Sequence, residues 1–171
     1  MRGQVGQPGV RFTPIDTFRF QALGSRTDYP LELARTLGQS VDPFDGEAWI
    51  GEYTHATRDW FWRAAYNSIA DGFRADSGFM PQVGFEEASG QVQRTFWGRK
   101  GGWYSRFIVN VNSSTKDDKD GELLEQDFNL FLTYEGPMQS VVRLRLLPNN
   151  ESFLGNEWFN YRQDLLLAIR P

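Results

Sequence analysis

The sequence predicts an all-β protein, an antiparallel up-and-down β-barrel of about eight strands or a segment of a larger barrel, with its long loops at one end. Apolar and polar residues alternate with a period of two in several separate segments, which is typical of strands that have one apolar face. Long and short connections alternate between these segments. Residues 1–171 are therefore expected to form a single barrel domain or a fragment of a longer barrel.

The predicted strands of the first half are residues 10–22, 47–56, 60–69 and 85–97. The third is the most regular, since Trp60 and Trp62 lie opposite Arg63 and Asn67 when the segment is read as a strand. The first and the fourth are less regular. Pro14 and Gly90 interrupt them and are predicted to mark bulges or sheet edges.

The predicted strands of the second half are residues 103–112, 122–135, 138–147 and 157–169. One face of the middle two is apolar and carries Leu124, Phe128, Leu130, Val142 and Leu144. The opposite face carries charged residues. A helix would mix these two sets, whereas a strand separates them.

The connections predict which end of the sheet carries the loops. Residues 57–59, 98–102 and 135–137 form the short connections, and residues 23–46, 71–84, 113–121 and 148–156 form the long ones. Strict alternation places all the long loops at one end and both termini at the other. Residues 71–87, rich in Phe and Gly, are predicted to form a compact cap over a barrel rim. Residues 31–39 are predicted to form a short helix that ends at Gly38.

The composition excludes several classes of protein. The net charge is −4 and the 18 Lys and Arg residues are scattered, so no nucleic-acid partner is predicted. Cysteine is absent, which excludes disulfides, thiol catalysis and cysteine-based zinc sites. The first residues hold no apolar h-region and no apolar run of about 18 residues occurs anywhere, so neither a signal peptide nor a membrane helix is predicted.

Charged residues of both signs lie on the polar faces of the predicted strands. The candidate set is Arg63, Arg106, Glu125, Asp127, Arg143, Arg145, Arg162 and Asp164. Because a barrel of about eight strands fills its interior with side chains, we expect these residues to pair with one another inside it. The alternative is a path or binding site for a small solute, with arginine as the selecting residue.

No catalytic, cofactor-binding or metal-binding residue is predicted, and the chain is not expected to be an enzyme. Neighbouring Glu86 and Glu87 point to opposite faces of a strand. The single histidine, His55, lies near a strand end without a second ligand. Residues 116–122 resemble a calcium-binding loop only faintly, and Asp120 followed by Gly121 favours a turn instead.

Aromatic residues lie mostly near the predicted strand ends, where the aromatic girdle of a membrane barrel would place them. The set comprises Trp49, Tyr53, Trp60, Trp62, Trp97, Trp103, Tyr104, Tyr134, Trp158 and Phe159. The alternative is that the same rings form the core of a soluble barrel.

One part of the chain resembles a known family. Phe73-Arg74-Ala75-Asp76, Gly78-Phe79, Pro81, Phe96-Trp97 and Gly102-Trp103-Tyr104 are its most specific positions. From about residue 18 onward the chain resembles the C-terminal barrel region of a bacterial family of uncharacterised outer-membrane-associated proteins. Full-length members carry an N-terminal carbohydrate-binding family-9-like domain before a long β-barrel, so the resemblance implies an outer-membrane location and a barrel fold. A small solute or a carbohydrate is a further candidate partner.

The chain departs from that family in three ways. It has no preceding carbohydrate-binding-like domain and no export signal, and it ends at Arg170-Pro171 instead of an aromatic residue. A fragment of a longer barrel is therefore one expectation.

The predicted function is that of a bacterial outer-membrane barrel with a structural or pore-type role, whose partners are the lipid bilayer and further protein subunits. The alternatives are a soluble, periplasmic or secreted lipocalin-like barrel that binds a small apolar ligand, and an accessory subunit of a larger complex.

Overall fold

A computed structural model describes residues 9–11, 13–74, 82–153 and 156–169. The strands are β1 (Gly9–Arg11), β2 (Asp16–Thr27), β3 (Phe44–Ala56), β4 (Trp60–Ile69), β5 (Phe85–Trp97), β6 (Arg106–Asp118), β7 (Leu123–Glu135), β8 (Val141–Phe153) and β9 (Asn156–Ala168). A single short helix, α1 (Leu31–Leu37), lies between β2 and β3. Strands β2–β9 correspond to the eight predicted strands.

The strands form one antiparallel sheet in which each strand pairs with its neighbour along the chain. This order confirms the prediction of an all-β, up-and-down architecture. Strands β1 and β9 lie at opposite edges, so the sheet is not closed within the described residues. Each described strand contacts only its sheet neighbours, and no second layer of strands covers either face.

The long connections are fewer than the sequence predicts. Residues 28–43 and 70–84 are long, as expected, but β6 and β7 are joined by residues 119–122 alone, and β8 and β9 by residues 154–155. The prediction that residues 113–118 and 148–153 belong to loops was wrong, because they continue the strands and have cross-strand partners. Residues 154–155 lie outside the described part of the chain. The β7–β8 ladder is interrupted opposite Pro148, which has no N–H to donate.

The first long connection contains the predicted helix. Helix α1 ends at Gly38, whose φ of 63° is left-handed and whose N–H donates to the Arg35 carbonyl. Gly38 therefore acts as the predicted stop, since glycine adopts this conformation without steric cost. Ala34, in the middle of the helix, is fully buried.

The second long connection folds back onto the end of the sheet. Phe73 is only 3% exposed and packs with Ala48, Ile69 and Phe85. The described part of this connection is compact, in keeping with the predicted cap, whereas residues 75–81 lie outside the described part of the chain. Gly46 permits the close approach, because a Cβ there would lie 2.1 Å from the Phe73 nitrogen.

The irregularity in strand pairing does not lie at Pro14 or Gly90, where the sequence predicted bulges or edges. Gly90 pairs regularly with Ala64 on one side and Ser113 on the other, so the prediction of a bulge there was wrong. The register instead shifts between Lys116 and Asp117 on β6, opposite the start of β7. Pro14 precedes β2, outside the paired ladder.

Candidate functional site: the polar face of the sheet

The cross-strand register divides the side chains of the sheet into two faces. Partners in an antiparallel ladder point to the same side, and successive residues point to opposite sides. Arg106, paired with Trp97 and Glu135, marks one side, which we call the polar face. Phe107, paired with Phe96 and Tyr134, marks the other side, which we call the apolar face.

The two faces differ in exposure. Along β4 the alternation is strict, with Trp60 and Trp62 on the apolar face exposed and Phe61 and Arg63 on the polar face half-buried. The same alternation continues from residue 21 to residue 26 on β2. Because no second layer covers the sheet, we infer that it curls toward the polar face, which is thereby shielded.

Large hydrophobic side chains are exposed mainly on the apolar face. The cross-strand register assigns thirteen of those within strands to that face and three to the polar face. The thirteen are Phe18, Phe20, Trp49, Trp60, Trp62, Tyr66, Val92, Phe96, Phe128, Phe159, Tyr161, Leu165 and Leu167. This distribution is opposite to that of a sheet whose apolar face packs on a core, since here the hydrophobic side is the open one.

All eight charged residues of the predicted network lie on the polar face. Ladders join neighbouring strands from β4 to β9, and for example place Arg145 opposite Phe131 and Asp164. They form several separate clusters instead of one connected network.

Two clusters join the predicted arginines to glutamates that the sequence reasoning missed. Arg106 donates from Nε and Nη2 to Glu135 over 3.0 and 2.6 Å, a bidentate pair. Arg63 Nε donates to Glu52 over 2.6 Å, and Arg19 reaches the same carboxylate at 3.4 Å. Glu135 is in phase with Glu125 and Asp127 on β7, so the period of two could have identified it. Glu52 is in phase with Ala48 and Ile50 on β3, so that period gave no signal for it.

A third cluster lies on β8 and β9. Asp164 Oδ2 lies 3.0 Å from Arg145 Nη2 and 3.1 Å from Arg162 Nη2. One carboxylate thus serves two guanidinium groups. Arg143, two residues before Arg145 on the same face, has no carboxylate within ion-pair distance among the described residues. It borders an open cavity of about 640 Å³ that Glu135 also lines.

The predicted carboxylates of β7 have amide partners instead of arginine partners. Asn149 Nδ2 donates to Asp127 over 2.6 Å and lies 3.5 Å from Glu125. The expectation that arginines would neutralise these two residues was wrong, because the register places Asn149 and Glu151 opposite them on β8. The loop-side end of β7 is consequently acidic.

The middle of the polar face is neutral. Asn110 Nδ2 donates to Gln93 over 3.1 Å, and Asn112 lies between Gln91 and Asn129 in the ladder. The Oδ1 atoms of Asn110 and Asn112 are buried without a hydrogen-bond partner in the structure. Amides and hydroxyls here separate the charged clusters on either side.

Four of the five leucine, valine and phenylalanine residues named for the apolar face lie there, and one does not. Phe128 and Leu130 belong to that face, as do Val142 and Leu144. Leu124 packs instead against the cluster around Phe73. The register shift at Lys116 and Asp117 inserts one residue at this point and reverses the expected direction of its side chain.

The aromatic residues predicted to form a girdle are divided between the faces. Six are on the apolar face, namely Trp49, Tyr53, Trp60, Trp62, Tyr134 and Phe159, whereas Trp97 and Trp158 are on the polar face. Trp103 and Tyr104 lie in the connection between β5 and β6. Trp103 stacks on Tyr134 with ring centroids 5.8 Å apart.

The remaining candidates from the sequence, His55 and residues 116–122, make contacts that hold the fold together. His55 Nδ1 lies 2.7 Å from Asp16 Oδ1, and Tyr53 donates to the same oxygen over 2.7 Å. Gly121, with a φ of 86°, forms the turn between β6 and β7. Among the residues that the structure describes, no group of three or more His, Asp or Glu side chains is arranged to hold a metal ion.

No protein-family model, curated protein or solved structure matches this chain. The resemblance to the outer-membrane-associated family therefore stays a prediction. Of its positions, Trp97 donates from Nε1 to Asp59 over 3.0 Å, and the Trp103 carbonyl accepts the Tyr134 hydroxyl. Within the described part of the chain, no helix is long and apolar enough to cross a membrane.

Proposed function

We propose that this chain forms the wall of a bacterial outer-membrane β-barrel, with the polar face toward the interior. Its role would be structural or pore-type and would require no catalysis. The observation that carries the proposal is the exposure of thirteen large hydrophobic side chains on one face of a single-layered sheet. In water such a surface favours aggregation, whereas in hydrocarbon it is the side that lipid solvates.

The strand lengths support the same conclusion. Seven of the eight long strands have 12 or 13 residues and β4 has 10. At about 3.4 Å per residue, a strand of this length extends over roughly 41 Å. Tilted by about 40°, it spans roughly 30 Å, which is the thickness of the hydrocarbon core.

The outer edge of β9 indicates that the wall continues. β9 pairs with β8 on one side and has no described strand on the other. An unpaired strand edge is costly in hydrocarbon, because its N–H and C=O groups have no water to bond. β2 runs antiparallel to β9, and β1 pairs with its outer edge only at residues 17–19. Closure of β9 onto the rest of that edge would give an eight-stranded barrel, and further strands would give a larger one.

The polar face supports a mainly structural interior with one candidate for solute contact. Glu52, Glu135 and Asp164 are engaged by arginines, so most arginines of the polar face are neutralised within the sheet. Arg143 is the exception, since it borders a cavity and has no carboxylate partner among the described residues.

Detergent dependence tests this proposal. The chain is expressed, extracted with and without detergent, and run on a gel before and after heating. Extraction only with detergent and heat-modifiable migration are expected. A monomer that is soluble without detergent and binds a fluorescent apolar probe in a one-to-one ratio would favour the lipocalin-like alternative, which requires the apolar residues to face inward.

A further inference from the structure

A small cavity of about 350 Å³ lies at the end of the sheet where the apolar face stops. Its lining includes Arg58, Asp59, Arg94, Phe96 and Trp97. Arg58 and Asp59 belong to the short connection between β3 and β4, and the other three belong to β5. The cavity thus joins two cations to the border of the exposed hydrophobic surface.

The arginines are held by aromatic rings instead of by full ion pairs. Arg94 lies 4.8 Å from the Trp60 ring centroid and 5.4 Å from that of Phe96. Arg58 lies 5.0 Å from the Trp97 centroid. Such stacking fixes a guanidinium group but leaves its in-plane N–H donors available to an anion.

The single carboxylate does not neutralise both cations. Asp59 accepts a hydrogen bond from Trp97 Nε1 over 3.0 Å and stands 3.7 Å from Arg94 Nη1, at the outer limit of an ion pair. Arg58 has no carboxylate within ion-pair distance in the part of the chain that the structure describes. The cavity therefore carries one net positive charge.

We propose that this cavity binds the phosphodiester headgroup of an anionic phospholipid, an inference that rests on the proposed membrane location. Arg58 and Arg94 would contact the phosphate oxygens, for which their planar donors are suited. The acyl chains would then lie along the apolar face beside Trp60 and Val92, which are 47% and 46% exposed. A free anion would use the arginines but not this apolar surface.

Lipid binding tests the inference directly. The full chain in neutral detergent micelles is titrated with phosphatidylglycerol and with phosphatidylcholine of the same acyl chains, and the bound lipid is counted by native mass spectrometry. Phosphatidylglycerol is expected to bind more tightly. Arg58→Gln should weaken it by about tenfold, as expected for loss of one charge-assisted hydrogen bond.

Arg26→Gln is the matched control. Arg26 lies on the apolar face of β2 near the opposite end of the sheet, so this variant removes the same charge and should bind phosphatidylglycerol as the parent does. Arg94→Lys is the second variant, chosen because Arg94 also packs on two aromatic rings. Lysine keeps the positive charge but lacks the planar N–H donors of the guanidinium group, so this variant should bind phosphatidylglycerol more weakly.

Three results would overturn the inference. They are equal affinity for the two lipids, unchanged binding by Arg58→Gln, and displacement of phosphatidylglycerol by inorganic phosphate at equal concentration, which would indicate a free-anion site. If the chain inserts into vesicles and one of these three results is obtained, the lipid site alone is refuted. If the chain is soluble without detergent, the proposed function is refuted.

Discussion

Leu130→Arg is the substitution that most directly tests which face of the sheet meets lipid. Leu130 lies on the apolar face of β7, between Val111 and Leu146 in the ladder. Its neighbour Asn129 lies on the polar face opposite Asn112. Arginine at these two adjacent positions therefore tests opposite sides of the sheet at almost the same depth.

The position of Leu130 along its strand sets the expected magnitude. It is seven residues from Leu123 and five from Glu135, or roughly 24 and 17 Å along the strand at about 3.4 Å per residue. With a tilt of about 40°, these distances become roughly 18 and 13 Å along the membrane normal, which is close to the midplane. Arginine facing lipid at that depth costs about 2–4 kcal/mol.

Urea titration in lipid vesicles, followed by tryptophan fluorescence, measures this cost. Leu130→Arg is expected to lower the free energy of unfolding by about 2–4 kcal/mol, and Asn129→Arg by less than about 1 kcal/mol. Gln126→Arg, on the apolar face but nearer the strand end, should cost about 0–1 kcal/mol. Equal costs at 129 and 130, or a larger cost at 129 than at 130, would refute the assignment of the faces.

Two further predictions concern the polar face and the folded connection. A double-mutant cycle with Arg106→Gln and Glu135→Gln should give a coupling free energy of about 1 kcal/mol. The value is modest because the two side chains are 38% and 26% exposed and solvent screens the pair. Unfolding titrations measure the coupling free energy, and additive effects of the two substitutions would contradict the prediction. Gly46→Ala should destabilise by about 1–3 kcal/mol, since its Cβ would collide with the backbone at Phe73. Gly24→Ala, with nothing within 4 Å, should stay within about 0.5 kcal/mol, and equal effects would show that the close approach does not matter.

The period of two predicted the strands well, because side-chain direction in a strand depends only on local geometry. The side chains of β4 and β9 divide between the faces as their sequences indicate. Asp127 and Asp164 were likewise assigned to the correct face. Asp164 also has the arginine partners that the sequence predicted. Asp127 does not, since Asn149 meets it through cross-strand register, which a single segment does not encode.

The errors have a common physical origin. Polar residues such as Ser113 and Asp117 suggest a loop, yet cross-strand pairing satisfies their backbone groups and β6 continues through them. Leu124 was assigned by counting from Phe128, and one inserted residue reversed its direction. Local composition predicts where a strand can form, but pairing decides where it ends.

Because every hydrogen-bonded strand pair joins chain neighbours, no pairing in this sheet has to wait for a distant segment to arrive. Loop-closure entropy is small for the turns at residues 57–59 and 119–122. We therefore expect the sheet to form hairpin by hairpin along the chain. Among the described connections, the slowest step should be the ordering of residues 28–43.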